Sequence, residues 1–345
     1  MISTIVPRRD LSGQDLAAVA SELRSLAIRA LKRMYRPRER LFAFRLRREG
    51  GRDVLEGISR RYTATVLIGL AGEAEEVASE VLGGGDVYAS CGRLLEAIGQ
   101  ACDLGEVALT LWAARCTRHP DVSKALERMR SMDPDTGHYR TVELAWSLAA
   151  LVVGDGGAAD EALARAIARR LLASLGEGSA LFPHWPDGAQ VSRLRGHVSC
   201  FADVVYPIQA LSHYHQATGD AEAIEAARRC AGQMCELQGP DGQWWWHYDV
   251  RTGRVVEQFP VYAVHQDAMA PMALFALEEA CGVQHRGAIE RGIHWLIDPP
   301  GMSGSLIDRR ADVIWRKVAR HEPAKLVRGV QAAASRLHPS LRVPG

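Results

Sequence analysis

The sequence lacks most of the features that give an enzyme away. No run approaches the roughly 18 consecutive apolar residues of a membrane span, and the N-terminus MISTIVPRRDLSG carries no long apolar stretch of the kind a secretory signal needs. The expectations are no transmembrane segment and a cytoplasmic protein. No CxxC pair occurs among the seven cysteines, which argues against a structural zinc site. Their odd number, and their position in apolar helical runs such as CAGQMCELQ, suit buried free thiols in a reducing compartment. Nucleophile elbow, phosphate loop, HExxH and dinucleotide fingerprint are all missing, so neither a metal nor a cofactor is expected. Net charge is only +1, so no global field points to nucleic acid or to a membrane.

Charge is nevertheless uneven. Lys and Arg outnumber Asp and Glu by 15 to 7 over residues 1–61 and by 9 to 2 over 309–345, while residues 62–308 hold 18 against 32. The basic ends can pack on the acidic middle or dock a partner.

What the sequence does contain is a repeat. Turns at MDPDTGHY, HWPDGAQV, QGPDGQWW and IDPPGMSG place prolines at 134, 186, 240 and 299, at spacings of 52, 54 and 59 residues. Each turn follows an amphipathic run such as DEALARAIARRLLASL, with apolar residues at i, i+3, i+4 and i+7. The first three are followed by runs that are apolar almost all round: TVELAWSLAALVVG, CFADVVYPIQALSHYHQATG and VYAVHQDAMAPMALFALEEACG, with a weaker DVIWRKVAR after the fourth. The former read as outer helices and the latter as inner ones. Short Gly-rich junctions such as ATGDAEA return inner to outer, with Gly to end one helix and Asp to cap the next. Extended backward through EVALTLWAARC, YASCGRLLEAIGQ and YTATVLIGLAG to an outer helix over 14–34, the pattern gives about six hairpins. The fold expected is all-α, an (α/α)6 toroid forming one domain over 1–345. Residues 1–61 would be a basic helix and loop, 62–320 the repeats and 321–345 a terminal helix and tail.

Gln238, Gly242 and Trp244 form Q-x3-G-x-W after an outer helix. This resembles the QW turn of the terpenoid cyclase and protein prenyltransferase toroids, in which the glutamine caps helix ends and the tryptophan stacks beside it. The segment Val261 to Leu274, VYAVHQDAMAPMAL, is also similar to an inner helix of bacterial toroid proteins, a resemblance that implies a polysaccharide context and a protein partner in a glycan-assembly system. The cyclase acid motif DxDD is absent, and Cys200, Asp203 and His197 do not match the spacing of prenyltransferase zinc ligands. The resemblance therefore implies the fold more strongly than the reaction.

In a toroid the outer-to-inner loops and the N-terminal ends of the inner helices gather at one mouth, and long loops on a rigid scaffold carry function. That rule selects the candidate site residues. Glu143, Asp203 and Asp267 are carboxylates for paired acid and base work, as in glycoside hydrolysis. Tyr206, Tyr262 and His265 are candidates for proton abstraction beside a sugar carboxylate in lyase or epimerase chemistry. Arg61, His138, Tyr139, Trp185, His197, Trp245, Trp246, His247, Tyr248 and Gln266 would bind substrate, since aromatic faces stack on sugar rings and polar groups pair with hydroxyls. The plainer alternatives are helix-dipole stabilisation for Glu143, a satisfied core histidine for His265 and a fold staple for the WWW run. The expected partner is an oligosaccharide or other small molecule. An isoprenoid-handling toroid and a noncatalytic scaffold are the alternatives.

Overall fold

The computed structural model of the protein describes residues 13–154, 160–188, 195–260, 268–300, 305–314 and 325–337. It opens with helix α1 (Gly13–Met34) and two antiparallel ribbons, β1 (Tyr35–Arg36) with β2 (Leu41–Phe42) and β3 (Arg45–Glu49) with β4 (Arg52–Glu56). The loop expected before residue 61 is thus largely strand. Cross-strand pairs such as Arg48 with Asp53, directly opposite in register, hold the second ribbon.

Helices then alternate between two layers. After α2 (Arg60–Leu70) and the short α3 (Glu75–Val81) come α4 (Val87–Glu96), α5 (Leu104–Cys116), α6 (Val122–Arg130), α7 (Thr141–Val152) and α8 (Glu161–Ser174). Strand β5 (Val198–Cys200) leads into α9 (Phe201–Thr218), followed by α10 (Ala221–Glu236), β6 (Trp245–Asp249), β7 (Arg254–Pro260), α11 (Ala270–Cys281) and α12 (Arg286–Ile297). A small ribbon, β8 (Ile307–Asp308) with β9 (Val313–Ile314), and helix α13 (Lys325–Leu337) complete the described chain.

The inner layer is α2, α5, α7, α9 and α11, each packed on the next. Burial separates the layers as the hydropathy does: every residue of α5 from Leu104 to Ala114 except Glu106 is buried, whereas α8 buries only Ala164, Ile167, Ala168 and Leu171, one stripe of an outer helix. The junction chemistry is also as read. Asp86, Asp103, Asp160 and Asp220 cap α4, α5, α8 and α10, each side chain accepting from the backbone N–H three residues on. Gly219 and Gly282 end α9 and α11 in the left-handed conformation.

Helix α1 joins the two ends of the array. Arg24 pairs with Glu73 and Lys32 with Glu80 on the first repeat, while Arg29 reaches Asp312 and Glu22 receives Arg309 on the last. Leu23 and Leu26 add an apolar seal against Trp295, Leu296 and Ile307. The architecture is an α/α toroid.

One expectation is corrected. DVIWRKVAR does not begin as an inner helix: Val313 and Ile314 pair with Asp308 and Ile307, because the Asp308 carboxylate accepts the N–H groups of Arg310 and Ala311 and turns the chain back. The WWW run is extended, since Trp245–Asp249 forms the middle strand of a β5-β6-β7 sheet. Trp244, fully buried, lies 5.9 Å from the Phe201 ring. Before it, Gln238 Nε2 donates to the carbonyls of Gly242 (2.8 Å) and Ala288 (2.9 Å), and its oxygen accepts from Arg291 (2.8 Å). That turn fastens the end of α10 to the side of α12.

Candidate functional site

The N-terminal ends of α2, α5, α7 and α9 bring charged side chains together. Arg61, in the first turn of α2, donates to Asp103, the N-cap of α5, with Nε at 2.9 Å. Its guanidinium also lies 3.8 Å from Glu143 Oε1 and 5.7 Å from the centre of the Trp146 ring, both on α7. Trp146 in turn meets Tyr206 of α9 edge-on at 5.0 Å. Gly105 makes this possible: a Cβ there would stand 2.9 Å from Trp146 and 3.2 Å from Arg61.

Arg140 clamps Glu143 from the other side. Its backbone N–H (3.0 Å), Nε (3.2 Å) and Nη2 (2.9 Å) all reach the carboxylate, which is buried. The hydrogen bonds from Arg140 fasten the plain helix-start role onto Glu143, while the Arg61 contact turns the same group toward the mouth. The Glu143 carboxylate holds the Arg140 guanidinium above its ordinary pKa against the opposing effect of burial, and Asp103 and Asp203 add to the effect. Although burial opposes it, the Arg61 hydrogen bonds and the Glu106 N–H hold the Asp103 carboxyl below the usual carboxylate range.

On α9, Asp203 is fully buried. Its Oδ2 accepts from the Cys200 N–H (2.9 Å) and faces His184 Nδ1 (2.8 Å), and its Oδ1 has no hydrogen-bond partner. The loop carrying His184 and Trp185 is fixed to α7, because Thr141 donates its N–H to the His184 carbonyl (3.0 Å) and its hydroxyl to Pro183. Trp185 is half-buried and meets the His184 ring edge-on at 5.8 Å. Burial, and then the Asp203 carboxylate, push the Cys200 thiol well above its ordinary value. Burial pushes the Tyr206 phenol up to about 12.

The mouth therefore unites Arg61, Glu143, Asp203 and Tyr206 from the candidates, with Trp185 on the adjoining loop. His247 adjoins it, directly opposite Cys200 in the β5–β6 register and 2.5 Å from Glu257. Tyr262, His265, Gln266 and Asp267 lie outside the described residues. Other candidates go elsewhere. Trp245 and Tyr248 are buried, and the Tyr248 hydroxyl accepts the Trp245 N–H, so they are core rather than substrate platforms. Trp246 is partly buried and packs against two hydrophobic clusters. His197, also buried, faces Asp249 and the Ala332 carbonyl of α13. Tyr139 spends its hydroxyl on the Met132 carbonyl (2.5 Å), closing its own turn. His138 is exposed and 3.3 Å from Asp187.

Asp103, Arg140 and Trp146 escaped the sequence reading. The signal for Asp103 was present, since it opens the inner run LGEVALTLWAARC just as Glu143 and Asp203 stand in the first turns of theirs. Trp146 follows Glu143 by three residues on one helix face.

No protein-family model matches the chain, and no curated protein matches its sequence. Among solved structures it is similar to the unsaturated glucuronyl hydrolase, responsible for the degradation of glycosaminoglycan, from Bacillus sp. GL1: 13% identity, TM-score 0.54, with 81% of this chain and 82% of that one covered. It is similar also to a variant of UGL with dGlcA-Glc-Rha-Glc: 12% identity, TM-score 0.54 and 83% of each chain covered. At such identities the likeness establishes the fold, the α/α toroid, for this chain.

Proposed function

We propose that the chain is a carbohydrate-active enzyme that receives an acidic sugar at this mouth, as part of polysaccharide or glycan metabolism. The observation that carries the reading is Arg61, poised over Trp146 between Asp103 and Glu143, with Tyr206 closing the other edge. An indole with a cation at its face and carboxylates beside it offers an aromatic wall for a sugar ring and a charge for a uronate. The unsaturated glucuronyl hydrolases that share the fold act on such a residue, which supports the acidic-sugar assignment.

Hydrolysis fits the residues better than elimination. Burial favours the protonated phenol of Tyr206, which places a hydrogen-bond donor at that edge. Glu143, Asp203 and Asp103 provide carboxylates for acid and base roles. A lyase or epimerase reaction would have to take its base from Tyr262 or His265.

A thermal-shift panel of acidic and neutral oligosaccharides, beside polyprenyl diphosphates, tests the reading on wild type, Arg61→Ala and Glu143→Gln. A ligand at about 100 times its Kd stabilises the native state by about 2.7 kcal/mol. Stabilisation by an acidic sugar that Arg61→Ala abolishes is the expected result, followed by release of reducing ends that Glu143→Gln abolishes. Stabilisation by isoprenoids alone would overturn it in favour of an isoprenoid-handling toroid. Sugar binding without turnover would leave the scaffold reading.

A further inference from the structure

We infer that His184, Cys200 and Asp203 form a site for one divalent transition-metal ion, zinc by the chemistry of its donors, at the edge of the mouth. A ring nitrogen, a thiol sulfur and a carboxylate oxygen from these residues all lie within 4.8 Å of one another. Zinc bonds of about 2.0–2.3 Å in tetrahedral geometry place donors about 3.5 Å apart, so side-chain adjustments of about 1 Å close the group on an ion.

Three independent features favour a cation here. Asp203 Oδ1 is buried without a hydrogen-bond partner, a costly state that a cation relieves. The donors balance charge, since one carboxylate and one thiolate neutralise a dication while the imidazole stays neutral. The frame is rigid: Cys200 and Asp203 share a reciprocal cap at the start of α9, in which the Asp203 N–H donates to Cys200 Sγ and the Cys200 N–H to the Asp203 carboxylate. His184, by contrast, is about one-third exposed, which provides an entry route and leaves a fourth position toward the mouth.

The same trio could be mistaken for a nucleophilic cysteine with its histidine and aspartate. A nucleophile needs a base on its sulfur, whereas here His184 Nδ1 faces Asp203 Oδ2 (2.8 Å) and Cys200 Sγ accepts the Asp203 N–H. A bound dication would take the thiolate directly, the Cys200 proton passing to solvent as the metal–sulfur bond forms. With the ion in place Asp203 is a ligand, acid and base roles fall to Glu143 and Asp103, and the open position would take an oxygen of an anionic ligand. The site itself stands without the carbohydrate reading.

Chelator-stripped full-length protein titrated with Co²⁺ should show one equivalent bound, with a near-ultraviolet thiolate-to-cobalt band that one equivalent of Zn²⁺ discharges. Cys200→Ser should lose the band. His184→Gln, at a partly exposed position where folding is not at stake, should weaken binding at least tenfold, and Cys102→Ser should change nothing. Absence of stoichiometric binding, or affinity unchanged in both Cys200→Ser and His184→Gln, would overturn the proposal. Loss of sugar stabilisation with an intact cobalt band would sink the carbohydrate reading and leave the metal site standing.

Discussion

The turn that fastens α10 to α12 makes a severe demand at one residue. Gly242 has φ of +96°, a conformation that costs an L-residue about 1–2 kcal/mol. A Cβ there would also stand 2.1 Å from the Arg291 carbonyl oxygen and 2.5 Å from its carbon, both backbone atoms of α12 that no rotamer can move aside. Relieving such overpacking costs about 1–3 kcal/mol. The shift would further loosen the Gln238 bonds to Gly242, Ala288 and Arg291. Gly242→Ala should therefore lose about 2–5 kcal/mol in urea unfolding. The matched control is Gly232→Ala in the interior of α10, where a Cβ meets nothing within 4 Å. Helix propensity alone predicts a gain of about 1 kcal/mol there. A Gly242→Ala protein within about 1 kcal/mol of wild type would refute the seating of the turn on α12, whatever the control does.

Other consequences are equally accessible. Gly105→Ala should displace Trp146 and Arg61 and weaken ligand binding by about tenfold, of the order of 1.4 kcal/mol, with little change in melting temperature; calorimetric titration of the ligand found in the thermal panel checks it. Under native conditions a thiol reagent should label the exposed Cys102 and Cys281 first, whereas Cys91, whose pKa burial pushes up to about 11, and Cys230, fully buried, should react only on unfolding. Burial holds the His197 imidazole below its ordinary value, and Arg251 and Arg336 act in the same direction against Asp249. The unfolded chain then takes up a proton near pH 6.5 that the folded one refuses, so stability falls as pH drops through about 6.5. His197→Asn should flatten that part of the stability profile, and an unchanged slope would show that the histidine does not report on the α13 contact.

What the sequence revealed and what it hid follow from the range over which each feature is determined. Helix layers were legible because burial on one face or on all faces leaves a mark every three or four residues, and Asp160, Asp220, Gly219 and Gly282 mark ends through bonds to neighbours in sequence. The β5-β6-β7 sheet was not, because pairing Val198–Cys200 with residues 247–249 depends on segments about 50 residues apart, and the period-2 pattern of WWHYD is too short to separate from a helix start. The same distinction runs through the site. Glu143 and Asp203 could be picked out singly as carboxylates at inner-helix starts, but Arg61 selects Asp103 and Trp146 only once α2, α5 and α7 stand side by side. The bodies of these helices are largely consumed by packing, so the charged groups of the mouth sit at their ends, and the ring decides which ends meet. A toroid's chemistry can thus be located along its chain before it can be assembled. His184 shows the consequence: it stands on a loop with no metal-ligand spacing to Cys200 or Asp203, and the hydrogen bonds from Thr141 to the His184 and Pro183 carbonyls, made across the fold, help bring it within reach of both.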